Sequence, residues 1–145
     1  YFEIKTREFS IFRDSVHFMI DEIKREQPDI VGFSAYIWNI NIILEIIPHI
    51  QGSILIGGPQ VTGIEEELIR ENPSIDIIVT GEAEKVFKEL LEYFYGDRKL
   101  ETIEGITTRD LYKPPSKDPL ALGTIPVFYD GIFKEYNAND HPYIN

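Results

Sequence analysis

The chain has 145 residues, 43% of them hydrophobic, enough for one domain with a real core. Its net charge of −11, from 25 acidic and 14 basic residues, disfavours a phosphate backbone as partner, because no cationic excess is available to release counterions. The absence of cysteine excludes disulfides, thiolate metal sites and an iron–sulfur cluster carried by these residues themselves. The chain opens on Tyr1 rather than Met, which suggests a fragment or a processed form, and no signal peptide precedes the first predicted strand. A cytoplasmic location is expected.

Phe2-Glu-Ile4 alternates, and Tyr1–Phe9 is predicted to be a strand. Asp14 or Ser15 can cap the helix that follows, whose apolar stripe is Val16, Met19, Ile20 and Ile23. Pro28 ends it, because the residue before a proline is pushed out of helical geometry. Asp29–Ser34 reads as the second strand. Asn39 or Asn41 caps a second helix running towards Ile50, with Pro48 kinking its last turn and Gln51-Gly52 as the exit. The run from Ile30 to Ile50 holds a single formal charge, Glu45, but Asn39, Asn41, Pro48 and His49 argue for a buried strand and helix rather than a membrane span.

Ser53–Gly57 is the third strand. Thr62 and Glu65 fit a capping box, and Glu65, Glu66 and Glu67 fill a first helical turn where the helix dipole favours negative charge. That placement accounts for the acidic triplet without a metal. The helix ends near Asn72-Pro73. Ile75–Thr80 is the fourth strand, and the turn Thr80-Gly81-Glu82 leads to a helix with the stripe Val86, Leu90, Leu91 and Phe94, stopped by Gly96. Glu82 and Glu84 fit either capping or a ligand role. Thr102–Arg109 alternates around a glycine turn. Pro114, Pro115, Pro119 and Pro126 then mark an extended arm, and the tail from Asp130 to Asn145 has no period.

Two apolar strands, each leaving into a loop of small residues, flank one crossover helix between Pro28 and Thr62. That is a β-α-β unit with parallel strands, and open α/β sheets bind ligands beyond the carboxyl ends of such strands. Ser34, Gly57 and Gly58 sit there, small enough for a ligand to approach the backbone. The fold class expected is α/β, a doubly wound, mostly parallel open sheet with a C-terminal extended arm. Residues 1–100 form the domain, 101–129 a strand and proline-rich linker, and 130–145 a tail.

Three blocks in order resemble the cobalamin (B12)-binding domain of class B radical S-adenosylmethionine (SAM) proteins. They are Pro28-Asp-Ile-Val-Gly-Phe-Ser-Ala-Tyr-Ile-Trp-Asn39, Leu55-Ile-Gly-Gly-Pro-Gln-Val-Thr62 and Asp76-Ile-Ile-Val-Thr-Gly-Glu-Ala-Glu84. The nearest flavour is the group resembling the magnesium-protoporphyrin IX monomethyl ester oxidative cyclase. The resemblance implies cobalamin held over the strand ends. Ser34 and Ala35 of the first loop would face the corrin, with Tyr36 and Trp38 either in contact with the ring or packed in the core or an interface. Gly57, Gly58 and Pro59 would line the slot for the nucleotide tail, and Thr80, Gly81 and Glu82 would form the far wall.

It also implies a downstream radical SAM domain as partner, which would carry the 4Fe–4S cluster and S-adenosylmethionine. The Cys-x-x-x-Cys-x-x-Cys motif of that chemistry is absent, so no catalysis is expected from this chain alone. His49-Ile-Gln-Gly52 has His-x-x-Gly spacing, but Ile47 stands where a cobalt-binding loop of the Asp-x-His-x-x-Gly type needs aspartate, so no histidine ligand to cobalt is expected. The alternatives are a receiver-like domain, a nucleotide- or flavin-binding domain, and a non-catalytic interaction module. The receiver needs a phosphorylatable aspartate at a strand end, and the nucleotide reading lacks a Gly-x-Gly-x-x-Gly run.

In the family resembled, a central first strand precedes the part that matches Tyr1–Phe9, and it has no counterpart here. Three remedies are open: Tyr1–Phe9 pairs directly with Asp29–Ser34, a later segment such as Ile103–Thr108 joins the sheet, or a homodimer exchanges a strand. The first is preferred, with a cofactor site that is incomplete and empty as purified.

Overall fold

A computed structural model describes residues 2–117. The described elements run in the order α1 (Val16–Glu26), β1 (Ile30–Ser34), α2 (Ile40–Ile46), β2 (Ser53–Gly57), α3 (Glu65–Glu71), β3 (Ile77–Val79), α4 (Ala83–Tyr95), β4 (Ile106–Thr107) and β5 (Tyr112–Lys113). The five strands lie in sequence order in one sheet. β1, β2 and β3 are mutually parallel, while β4 and β5 add antiparallel beyond β3.

Alternation along the strands divides the core in two. Ile54 and Ile56 of β2 and Ile78 of β3 face one cluster, built with Ile40 and Ile43 of α2 and Leu68 and Ile69 of α3. Leu55, Ile77 and Val79 face the other, with Val86 and Leu90 of α4, Ile103 and Ile106. Helices thus cover both faces, the doubly wound arrangement expected from sequence. α1 packs its buried Met19 and Ile20 beside Ile46 of α2 and against Phe33. No helix of the described residues is long and apolar enough to cross a membrane.

Local chemistry sets the boundaries. Ser15 Oγ accepts from Phe18 N at 3.2 Å and starts α1, and Gln27 closes it in the left-handed region (φ 49°) just before Pro28. Pro48 cannot supply an α-helical N–H, and α2 tightens there into a 3-10 turn at Ile47–His49. Asp76 extends the β2 ladder past β3: its N–H donates to Ile54 O at 3.0 Å and its Oδ2 accepts from Ile54 N at 2.8 Å.

Two expectations are corrected. The capping box at Thr62 does not form. Pro59–Val61 makes a 3-10 turn, Gly63 reverses the chain at φ 87°, and α3 starts only after Ile64, with Thr62 left outside it. Nor is Tyr1–Phe9 a strand: the described part, from Phe2, has no regular structure and does not pair with β1, whose outer edge carries no neighbouring strand among the described residues. The segment is drawn to the helices instead. Lys5 Nζ and Arg7 Nη2 both donate to Glu26 at the end of α1, at 2.7 and 2.6 Å. Phe9 packs edge-on against Phe18, and Phe2 against Tyr95 of α4. Residues near Ile103–Thr108 do join the sheet as β4, at the β3 edge rather than beside β1. The predicted tail Asp130–Asn145 lies outside the described residues.

The two cations hold Glu26 down from 4.5 to about 2, the Lys5 hydrogen bond contributing most and the Arg7 bond next. A depressed carboxylate favours the folded arrangement above its ordinary value and loses that favour as pH falls from 4.5 towards 2. Following the Glu26 carboxyl by NMR is expected to give a midpoint near 2 in the wild type and one close to 4.5 once Lys5→Ala and Arg7→Ala are combined. An ordinary midpoint in the wild type would show that the clamp does not persist in solution.

Candidate functional site

Because β1, β2 and β3 are parallel, the loops that leave them emerge along one rim of the sheet. Ser34 and Gly57 are register partners there, and Gly57 is in turn opposite Val79. Partners in register point to the same face, so Gly32, Ser34 and Gly57 share the face that α4 covers farther along, on β2 and β3. Gly32 and Ser34 are exposed, and a Cβ added at Gly32 would meet nothing within 4 Å. The result is a floor of small residues, with Ser34 and Gly57 at the ends of two neighbouring strands and Gly32 midway along β1. The period-2 spacing of Gly32 and Ser34 is the sequence signal that puts Gly32 on the same face.

The first loop follows Ser34. Ala35 is fully buried and continues the ladder, its N–H donating to Gly57 O at 2.6 Å. Its side chain therefore has no surface to offer a ligand. Tyr36 and Trp38 project outward with rings stacked at 4.7 Å and 5° between planes. With Ile37 between them they are 38%, 75% and 61% exposed, so neither aromatic is core packing. Asn39 does not cap α2 with its side chain. It turns back instead, accepting from Tyr36 N at 2.7 Å through Oδ1 and donating to Ser34 O at 2.9 Å through Nδ2.

The second loop is Gly57-Gly58-Pro59. Gly58 has φ 115°, and a Cβ there would lie 2.5 Å from Ala35 O and 2.9 Å from Ala35 N. It lets two loop backbones touch, a contact sealed by Gln60 N donating to Ala35 O at 3.2 Å. In the third loop Thr80 is buried, its N–H donating to Gly105 O at 2.9 Å, while Gly81 has φ 83° and lies against Pro115. Thr80 Oγ1 finds no partner among the described residues, and Thr80 lines a cavity of about 40 Å³ with Glu82, Lys85, Val86, Glu89 and Glu104. That space suits water rather than a macrocycle. The structure thus joins the Ser34 and Gly57–Pro59 groups closely, and places Thr80–Glu82 along the same rim on the side towards β4.

His17 and His49 are elsewhere. They line a groove of about 310 Å³ between α1 and the end of α2, with Ile20, Lys24 and Glu45. His49 precedes β2, which puts it at the end of the sheet opposite the rim. His141 lies outside the described residues. No group of three or more metal-ligating side chains occurs among the described residues. The parallel strands end in Ser34, Gly57 and Val79, so the aspartate that a receiver domain needs is not there.

These features define a doubly wound α/β domain whose parallel strands end in one loop-lined rim with a floor of small residues. The sequence profile of the B12 binding domain matches residues 12–91, more than half of the chain, and the chain belongs to that family. It is similar to an uncharacterized methyltransferase of Pyrococcus horikoshii, 34% identical over 105 residues, 69% of this chain and 23% of that protein. It is also similar to the cobalamin-dependent radical SAM methyltransferase TokK of Streptomyces tokunonensis, at 28% identity over 57% of this chain and 13% of TokK. The anaerobic magnesium-protoporphyrin IX monomethyl ester cyclase of Cereibacter sphaeroides matches at 29% identity, over 58% of this chain and 14% of the cyclase. Among solved structures, the cobalamin-dependent S-adenosylmethionine radical enzyme OxsB shares the fold, with a TM-score of 0.61 at 19% identity over 72% of this chain and 16% of OxsB. The chain spans less than a quarter of the length of each of these proteins.

Proposed function

We propose that this chain is the cobalamin-holding domain of a cytoplasmic radical SAM enzyme of the methyltransferase or cyclase type. The observation that carries the reading is the pair Ser34 and Gly57, in register at the carboxyl ends of β1 and β2, with the open Gly32 two residues back on the same face of β1. A flat macrocycle with a long tail needs such clearance, together with apolar surface and backbone donors nearby. Ser34 and the exposed Tyr36 and Trp38 would meet the corrin, with Ala35 contributing through its backbone. Gly57, Gly58 and Pro59 would line the tail slot, and Thr80, Gly81 and Glu82 the far wall. Bound cobalamin would supply the cobalt chemistry of methyl or radical transfer, and the chain's own rim residues would hold and orient it.

The partner in this reading is a radical SAM domain of the same protein, which would hold the 4Fe–4S cluster and S-adenosylmethionine. Residues 101–129 would be the strand and linker towards it, and 130–145 the lead into it. The relatives named as methyltransferases and the one named as a cyclase leave the reaction to be assigned by assay of the whole protein.

The test is a titration of the 145-residue chain with hydroxocobalamin, followed by visible spectra and gel filtration. The chain is expected to be colourless as purified and to retain one equivalent of added cofactor. His17→Ala, His49→Ala and His141→Ala are expected to leave the bound spectrum unchanged. Failure to retain the cofactor would overturn the reading, and a spectral change in any histidine variant would overturn the absence of a histidine ligand.

A further inference from the structure

The loop between Ser34 and Asn39 exposes Tyr36, Ile37 and Trp38 in succession, an apolar patch that water disfavours unless something covers it. Such a run would ordinarily sample many conformations. Here one side chain pins it. Asn39 uses both halves of its amide, Oδ1 accepting from Tyr36 N at 2.7 Å and Nδ2 donating to Ser34 O at 2.9 Å. Its own N–H and that of Ile40 close the turn on Tyr36 O at 3.1 and 3.0 Å. The loop is thereby tied to the last residue of β1, and the two rings stand stacked within 5° of parallel.

We propose that Asn39 is a positioning residue, which presets the Tyr36–Trp38 stack as a preformed apolar surface for the flat ring of the cofactor. This rests on the cobalamin reading above. A stack ordered beforehand loses little freedom when the ligand arrives, so the contact converts more fully into affinity. Asn39 itself need not touch the ligand. A glutamine could not repeat the bonds, because its longer side chain displaces the amide, and an aspartate keeps the acceptor for Tyr36 N but sets a carboxylate against Ser34 O.

The test uses the full chain with Asn39→Ala, and Asn39→Asp as a second variant should the first not fold. The chain has one tryptophan, so its emission reports on this loop alone. Without cofactor, the near-ultraviolet circular dichroism of the stacked rings is expected to weaken in either variant. With hydroxocobalamin, Kd is expected to rise about tenfold and quenching of Trp38 emission to diminish at equal occupancy. A residue that only supports the fold would lower the melting temperature and leave both Kd and quenching per bound cofactor as they were. Unchanged Kd in a folded variant, with or without a change in dichroism, overturns the role of Asn39 while leaving the cobalamin reading intact. A wild-type chain that retains no hydroxocobalamin overturns the cobalamin reading itself, and this role with it.

Discussion

Gly58→Val is expected to unfold the domain or bring it close to unfolding. Gly58 adopts φ 115° and ψ 172°, a region that is essentially glycine's alone and costs other residues about 1–3 kcal/mol. A Cβ would also sit 2.5 Å from Ala35 O and 2.9 Å from Ala35 N, both backbone atoms of a buried residue that cannot turn aside. Overpacking of that kind adds about 1–3 kcal/mol. The sum, about 2–6 kcal/mol, is comparable to the whole stability of a typical small domain, about 5–15 kcal/mol. Urea unfolding of Gly58→Val beside Gly63→Ala measures it. Gly63 also has positive φ, at 87°, but a Cβ there would meet nothing within 4 Å, so its loss should be limited to the strain term of about 1–2 kcal/mol. Equal losses in the two variants would show that the close approach to Ala35 is unimportant.

Gly57→Val is expected to do the opposite: to keep the fold and lose the cofactor. Gly57 lies within β2, where a β-branched residue suits the backbone, and an added Cβ would make ordinary contacts of 3.5 Å to Val79 O and 3.6 Å to Val79 Cβ. The new methyls would fill the floor between Ser34 and Val79. If the tail slot is there, a crowding cost of about 1–3 kcal/mol weakens hydroxocobalamin binding by about fivefold to 150-fold. A folded Gly57→Val that binds as tightly as the wild type would place the slot elsewhere. The sequence treats these adjacent glycines alike, as two parts of one slot. Their geometry separates them, since one opens the floor and the other permits two loops to touch.

Much of the architecture was legible because it depends on local patterns. Apolar runs bounded by Pro28, Gly52 and Gly96 mark where strands and helices begin or stop, since these residues alter backbone geometry whatever surrounds them. Parallel strands joined by a helix oblige their following loops to share one rim, so Ser34 and Gly57 could be grouped before any coordinates. The three sequence blocks likewise carried the family. What depended on competition between partners was not legible. Phe2-Glu-Ile4 alternates as a strand would, yet two cations meeting Glu26 and rings meeting Phe18 and Tyr95 hold the segment on the helices. Thr62 and Glu65 have capping-box spacing, but a 3-10 turn and the reversal at Gly63 move the helix start beyond Thr62. Asn39 has the chemistry of a helix cap and spends it backward on Ser34 and Tyr36. In each case the residue has more than one physically adequate partner, and only the tertiary structure decides which of them lies within reach.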